Sequence, residues 1–306
     1  MRPPKKLFAA GLLLLALTVL VAAGCGSKKA SPGGTSTATT TATSTTGANS
    51  KIAAEVPAAI KSKGMLTVAT DATYPPNEFV ASNGKTVTGW DPELAQALGN
   101  VLGLKVKLVN ATFATIIPGI QAGKYGLSLS SFTDTKERQK VIDFVTYFTA
   151  GTSFYVKTSG GPTINSLADL CGHSAGVESG TTQADDAKAQ SAKCKSAGKP
   201  GVKVATYPDQ SSANLAISSG RQQVGMADSP VAAYIAKQSN GQFKVTGKSY
   251  NNAPYGIAIP KGNGMAKPIL DALKQLMANG TYTKILQKYG VQAGAITNPT
   301  INGAIS

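Results

Sequence analysis

The stretch SSFTDTKER, from Ser130 to Arg138, sets hydroxyls at Ser130, Ser131 and Thr133 and a guanidinium at Arg138, five residues beyond Thr133. Hydroxyls donate to anionic oxygens, and the planar guanidinium fork matches a carboxylate with two parallel N–H groups. The preceding YGLSLS alternates apolar and polar residues like a strand end, and the following KERQKVIDF reads as a short helix. The hydroxyls therefore fall at a strand-to-helix corner, where unpaired backbone N–H groups at a helix start make a small anion site. Gripping a carboxylate is the chemistry this grouping fits. The alternative is a helix cap beside a solvated arginine.

The elements that must hold this corner are legible as periodicity. Strands are predicted over residues 65–70 (MLTVAT), 105–110 (KVKLVN) and 126–130 (GLSLS), with helices over 91–102 and most of 113–123. The alternation restarts after residue 160, with strands over 174–178, 202–208, 224–228 and 243–247 and helices over 181–194, 211–220 and 229–238. Two further helices are predicted near 265–278 and 281–289. This order implies two α/β units, each with a mainly parallel sheet. The extended stretches TSFYVKT (152–158) and YGIAIP (255–260) separate the blocks, so the chain should cross twice between two lobes. No repeat of solenoid period is present.

Residues 1–24 combine a basic start (Arg2, Lys5, Lys6) with the apolar run FAAGLLLLALTVLVAA, the pattern of a secretory signal. Ala22, Ala23 and Gly24 before Cys25 resemble a bacterial lipobox, which implies that Cys25 is the lipidated first residue of the mature chain. Residues 25–50 are dominated by Ser, Thr, Ala and Gly. Such a segment buries too little apolar surface to offset its ordering entropy and is expected to be a disordered tether, reaching roughly 25–30 Å. The formal charge is +15, and +12 once the three leader cations are subtracted. The lysines are scattered, with no arginine stripe interleaved with aromatics, and export also argues against nucleic acid as a partner. With Cys25 lipidated, Cys171 and Cys194 remain as an even pair in an oxidising compartment and are expected to form a disulfide worth ~3 kcal/mol. The only histidine, His173, lacks clustered ligands, so neither a metal site nor a cofactor is expected.

An ordered set of motifs then carries a resemblance. TDATYPPNEF (70–79), GWDPELAQAL (89–98), FATIIPGIQAGKY (113–125), SSFTDTKER (130–138), DFVTYFTAG (143–151), SGTTQ (179–183), SSGRQQVGMADSP (218–230) and YGIAIPKGN (255–263) together resemble the solute-binding proteins of bacterial ABC importers, in the group that binds polar amino acids. The resemblance covers roughly residues 55–290. It implies a two-lobed, periplasmic-binding-protein-like fold of type II, two α/β domains joined by two hinge strands. The lobes are expected to comprise residues 51–153 plus 256–306 and residues 154–255.

In that resemblance Arg138, Thr133 and Thr182 match groups that hold a ligand α-carboxylate. Ser131 and Asp228 match groups at the α-ammonium, and Asp71, Tyr74 and Phe113 match the side-chain pocket. Glu178 stands where related binders read the ligand side chain. A carboxylate there, with Asp71 nearby, suits a cationic or amide side chain, unless Glu178 pairs with a lysine of the protein. Trp90 is either near the pocket or structural. Asn77 departs from the pattern, which usually has phenylalanine at that position. The resemblance implies a monomeric receptor with no catalytic residue, delivering a free amino acid to an ABC permease at the outer face of the cytoplasmic membrane. The competing classes are a dehydratase-like enzyme on the same scaffold and a sensor acting through another protein. Glu178 or Asp71 would be that enzyme's acid–base groups, while His173 is expected to be exposed.

Overall fold

The computed structural model describes residues 47–305. The expected leader, Cys25 and most of the expected tether lie outside them. Asn49 caps α1 (Ser50–Glu55) with its side chain and donates to Gln275, so the expected tether boundary at residue 50 falls inside a packed helix. The short α2 (Ala58–Lys61) leads into β1 (Met65–Thr70), and β2 (Thr73–Tyr74), β3 (Glu78–Val80) and β4 (Val87–Thr88) form a small antiparallel sheet beyond it. Next come α3 (Trp90–Leu102), β5 (Lys105–Asn110), α4 (Phe113–Gln121), β6 (Leu127–Ser128), α5 (Lys136–Gln139) and β7 (Ile142–Lys157). The second half contributes β8 (Ser174–Glu178), α6 (Thr182–Ser196), β9 (Lys203–Tyr207), α7 (Gln210–Ser218), β10 (Val224–Asp228), α8 (Ser229–Gln238) and β11 (Phe243–Pro260). The helices α9 (Ala266–Ala278) and α10 (Thr281–Tyr289) follow.

The fold is the two-lobed α/β architecture. Hydrogen bonds join eight strands in the order β5-β1-β6-β11-β7-β10-β8-β9. The long strands β7 and β11 run through both halves, pairing from Phe243 with Lys157 at one end to Pro260 with Ile142 at the other. The sheet is therefore more mixed than expected. The outer pairs β1–β5, β1–β6, β8–β9 and β8–β10 are parallel, while β6–β11, β11–β7 and β7–β10 are antiparallel. The cause is topological: a strand that leaves one lobe and a strand that returns to it must run in opposite directions.

Each lobe has apolar layers on both faces of its part of the sheet. In the first lobe α3 and α9 bury Leu94, Leu98, Ile269 and Leu273 on one face, and α4 buries Phe113, Ile116 and Ile120 on the other. In the second, Phe154, Val177, Ala184 and Met226 pack under α6, and Tyr155, Ile217, Val231 and Ile235 under α7 and α8. Each fully buried large aliphatic contributes about 1.5–3 kcal/mol. A disulfide joins Cys171 to Cys194, as expected, fastening α6 to the segment before β8.

Two elements differ from expectation. The helix after the SSFTDTKER corner ends at Gln139, and Ile142 already belongs to β7. The strand expected to end at residue 247 continues through β11 to Pro260. Between Thr246 and Ala253 its register shifts twice, with left-handed backbone at Gly247 (φ 68) and Asn251 (φ 49). Such bulges bend a strand without ending it, so KSYNNAP reads as a loop in sequence.

The segment after α10 also docks. Asn302 and Thr300 exchange backbone hydrogen bonds with Phe144 and Thr146, covering the edge of β7 that β10 does not reach.

Candidate functional site

The cleft between the lobes holds a small, tightly closed cavity of about 10 Å³. It is lined by Asp71, Tyr74, Phe113, Ser131, Thr133, Arg138, Glu178, Thr182 and Asp228, together with Glu78, Ser130, Thr181 and Gln183. All the ligand residues expected from sequence thus meet at one place. Most come from strand ends and helix starts: Asp71 follows β1, Phe113 opens α4, Thr182 opens α6, and Glu178 and Asp228 end β8 and β10. This is the crevice outside the carboxyl ends of strands, where open α/β sheets bind ligands.

The SSFTDTKER corner is built differently from the expected helix-start anion site. The helix α5 has only four residues, and Thr135 caps it by accepting the Arg138 N–H at 3.2 Å. The cation that this corner sets into the cleft is the Arg138 guanidinium. That group is half-buried, lies 5.7 Å from the Phe113 ring centroid and 5.2 Å from that of Phe132, and donates from Nη1 to the Thr133 carbonyl at 2.8 Å. From Nη2 it donates across the cleft to the Gly180 carbonyl at 2.9 Å. Burial pulls its pKa down to about 10, and Asp228 opposes that shift; it remains a cation at neutral pH.

The second lobe faces it with the N-terminus of α6 and the end of β10. Thr181 caps α6 by accepting the Ala184 N–H at 3.2 Å, and Thr181, Thr182 and Gln183 at that helix start line the cavity. Gly180 sits at φ 80, where a Cβ would stand 3.0 Å from the Ala114 Cα of the other lobe; glycine permits that approach. Asp228 is 7% exposed, and its two carboxylate oxygens accept from Gln183 Nε2 at 2.8 Å and from the Tyr255 hydroxyl at 2.7 Å.

The acids dominate the electrostatics. Desolvation pushes the Asp228 carboxyl up to about 6 against the pull of Tyr255 and Gln183. Asp71 is also raised by burial, despite accepting from Thr73 Oγ1 at 2.7 Å and from the Phe113 N–H at 2.8 Å. Glu178 is 3% exposed and pushed well above the carboxylate range, by burial first and then by the charge of Asp71 beside it. No lysine pairs with it: its Oε1 has no hydrogen-bond partner among the described residues. Glu78, 1% exposed, lies against Asp91, and burial drives both carboxyls upward. Four carboxyl groups thus line the cavity, with Arg138 as the one lining cation among the described residues.

The lining residues that sequence reasoning passed over had a visible signal. Glu78 sits inside a quoted motif, and Thr181 and Gln183 flank Thr182, while Ser130 belongs to the hydroxyl grouping already singled out at the corner. Tyr255, which orients Asp228, opens YGIAIPKGN. Trp90 is fully buried outside the cavity lining, packed against Tyr147 and Phe148. His173 is half-buried on the second lobe, its Nδ1 3.4 Å from Gln223 Oε1, and does not line the cleft.

Comparison with known proteins places this geometry among relatives. The model of bacterial extracellular solute-binding proteins, family 3, matches residues 66–292. An arginine-binding protein of Corynebacterium glutamicum is 32% identical over 253 residues, covering 82% of this chain and 83% of the relative. A solved ancestral arginine-binding protein bound to arginine is 38% identical, with a TM-score of 0.68, over 74% of this chain and 98% of that one. A solved ancestral arginine-binding protein bound to glutamine is 37% identical, with a TM-score of 0.69, over 74% of this chain and 98% of that one. An ancestral amino-acid-binding protein described as a precursor of cyclohexadienyl dehydratase is 36% identical, with a TM-score of 0.68, over 76% of this chain and 97% of that one.

Proposed function

The chain belongs to family 3 of the bacterial extracellular solute-binding proteins, and from that premise we propose that it binds an L-amino acid with a cationic side chain, arginine or a close analogue, for delivery to an ABC permease. The ligand carboxylate meets Arg138, Thr133 and the Thr182 end of α6. Its α-ammonium meets Asp228 and the Ser131 corner. Its side chain meets Glu178 and Asp71, with Phe113 and Tyr74 as apolar walls.

One observation carries this reading: among the described residues the buried Glu178 carboxyl has an oxygen with no hydrogen-bond partner and no cation paired with it, so a cation entering the cleft would let it ionise. A buried charge is stable only when paired and hydrogen-bonded, and a guanidinium or ammonium brings both. Splitting the zwitterion's partners between lobes makes the ligand favour the closed state, which is what ligand-driven closure requires. The arginine-named relatives add support. In this reading the protein acts as a binding component and not an enzyme, working as a monomer. It is exported and held by lipid on Cys25 at the outer face of the cytoplasmic membrane, with residues 1–24 removed and 25–50 largely a tether. The lobes are then residues 51–153 with 256–306, and residues 154–255.

Calorimetric titration tests the ligand class on protein unfolded and refolded to strip any retained ligand. Arginine, lysine or ornithine should bind at least tenfold more tightly than citrulline or glutamine. Tightest binding of glutamate, or no binding of any amino acid, would overturn the proposal. Cys25→Ala should move the protein from the membrane fraction to the medium or the soluble fraction.

A further inference from the structure

Among the cavity residues, Ser131 alone combines a side chain with left-handed backbone, at φ 52. That conformation is unfavourable for a residue with a Cβ and persists only where its surroundings hold it. Three groups do so here. Ser131 N–H donates to Asp91 Oδ2 at 2.8 Å, Ser131 Oγ lies 3.2 Å from Glu78 Oε2, and Asn77 Nδ2 donates to Ser131 Oγ at 2.8 Å.

Asn77 is itself fully buried, and Trp90 Nε1 donates to its Oδ1 at 2.8 Å. An indole N–H can only donate. The amide oxygen must therefore face Trp90, and the amide nitrogen must face Ser131. Ser131 Oγ accepts from Asn77, so its own proton is left for a carboxylate, Glu78 or Asp91. The direction of the whole chain follows: Trp90 to Asn77 to Ser131 to the buried acids. Gly89 allows it, since at φ 128 a Cβ would stand 2.1 Å from the Asn77 carbonyl oxygen. A phenylalanine, the usual residue here in the resemblance, has neither the donor nor the acceptor.

We propose that Asn77 is a positioning residue for the ligand cleft, holding Ser131 in its left-handed conformation and tying occupancy of the cleft to the environment of Trp90. This rests on the reading of the cleft as an amino-acid site. Neither Asn77 nor Trp90 lines the cavity, so both act through Ser131.

The test is a double-mutant cycle read by calorimetry with L-arginine, alongside the ¹⁵N–¹H resonance of the indole. Trp90 is the chain's single tryptophan, so that resonance needs no assignment. In the wild type the indole resonance should shift on adding arginine. Asn77→Leu should weaken arginine binding about tenfold and shrink that shift. The double variant Asn77→Leu/Ser131→Ala should bind within about twofold of Ser131→Ala alone, a non-additivity that mere loss of packing would not give. Where Asn77→Leu does not fold, Trp90→Phe, which removes only the indole donor, takes its place in the same cycle. Additive losses, unchanged binding in Asn77→Leu or a motionless indole resonance would overturn the proposal while leaving the amino-acid reading intact. A wild type that binds no amino acid would overturn both.

Discussion

The backbone N–H of Asp228, on the second lobe, donates to the phenolic oxygen of Tyr74, on the first, at 2.8 Å. Tyr74 also packs among Tyr155, Ile217 and Ala227 of the second lobe. One side chain thus closes the cleft by both packing and a hydrogen bond, next to the acid that would pair the ligand ammonium. Tyr74→Phe keeps the ring and leaves that N–H without its acceptor. An orphaned buried donor costs about 1–3 kcal/mol, and the cost falls on the closed state alone. Stopped-flow measurement should show arginine dissociating roughly tenfold faster or more, with little change in association. An unchanged dissociation rate would remove this bond from the closure mechanism.

Arg138→Ala should reduce arginine affinity by 100-fold or more, from about 3 kcal/mol for truncating one partner of a buried charge pair. The fold should survive, because α5 is short and its Thr135 cap does not involve the guanidinium. Circular dichroism and calorimetry together check this. Full affinity in a folded variant would contradict the carboxylate assignment.

Glu178→Gln separates stability from recognition, because its two expected effects have opposite signs. The substitution removes a carboxyl that burial holds far above its ordinary pKa, so the ligand-free protein should melt at a higher temperature. The same change removes a charge facing the ligand side chain, so arginine should bind ten- to 100-fold more weakly while glutamine loses less. A variant that keeps wild-type arginine affinity would mean that Glu178 does not read the side chain.

The site was more legible in the sequence than the connections between its parts. Arg138, Thr133 and Ser131 lie within nine residues of chain, and their types announce anion chemistry before any fold is known. Asp71, Glu178 and Asp228 are far apart in sequence, and only the order of motifs brought them together. The hinge strands were harder to read. β7 is buried at most positions over its whole length, so it lacks the alternation that marks a half-exposed strand. Its run of aromatic and β-branched residues, IDFVTYF, was the available signal. Asn77 was legible only as a departure from a pattern. Its partners, Trp90 and Ser131, are 13 and 54 residues away, and no local spacing connects them.

The acids of the cleft give a stability profile whose sign is fixed by the direction of their shifts. Burial raises Asp71, Glu178 and Asp228 above ordinary carboxylate values, Asp228 from 3.8 to about 6. The folded state therefore keeps protons that the unfolded chain has already released. The contribution of Asp228 is fully present below pH 3.8 and is lost as pH rises through about 6. Glu178, raised further, extends the loss to higher pH. Arg138 lowers Asp228 as a nearby cation and moderates that shift without reversing it, and the exposed Asp169, shifted downward, acts weakly in the opposite sense. The melting temperature of stripped protein should therefore fall between pH 4 and pH 7. A cationic ligand reverses the trend, because its charge favours the ionised carboxylates and its binding expels their protons. Arginine affinity should accordingly weaken as pH drops from 7 to 5, and calorimetry in buffers of different ionisation enthalpy should register proton release. Glutamine, which brings no side-chain charge, should release fewer protons. Arginine binding without proton release, or a melting temperature that rises from pH 4 to pH 7, would show that the cleft carboxylates are already ionised and paired before the ligand arrives.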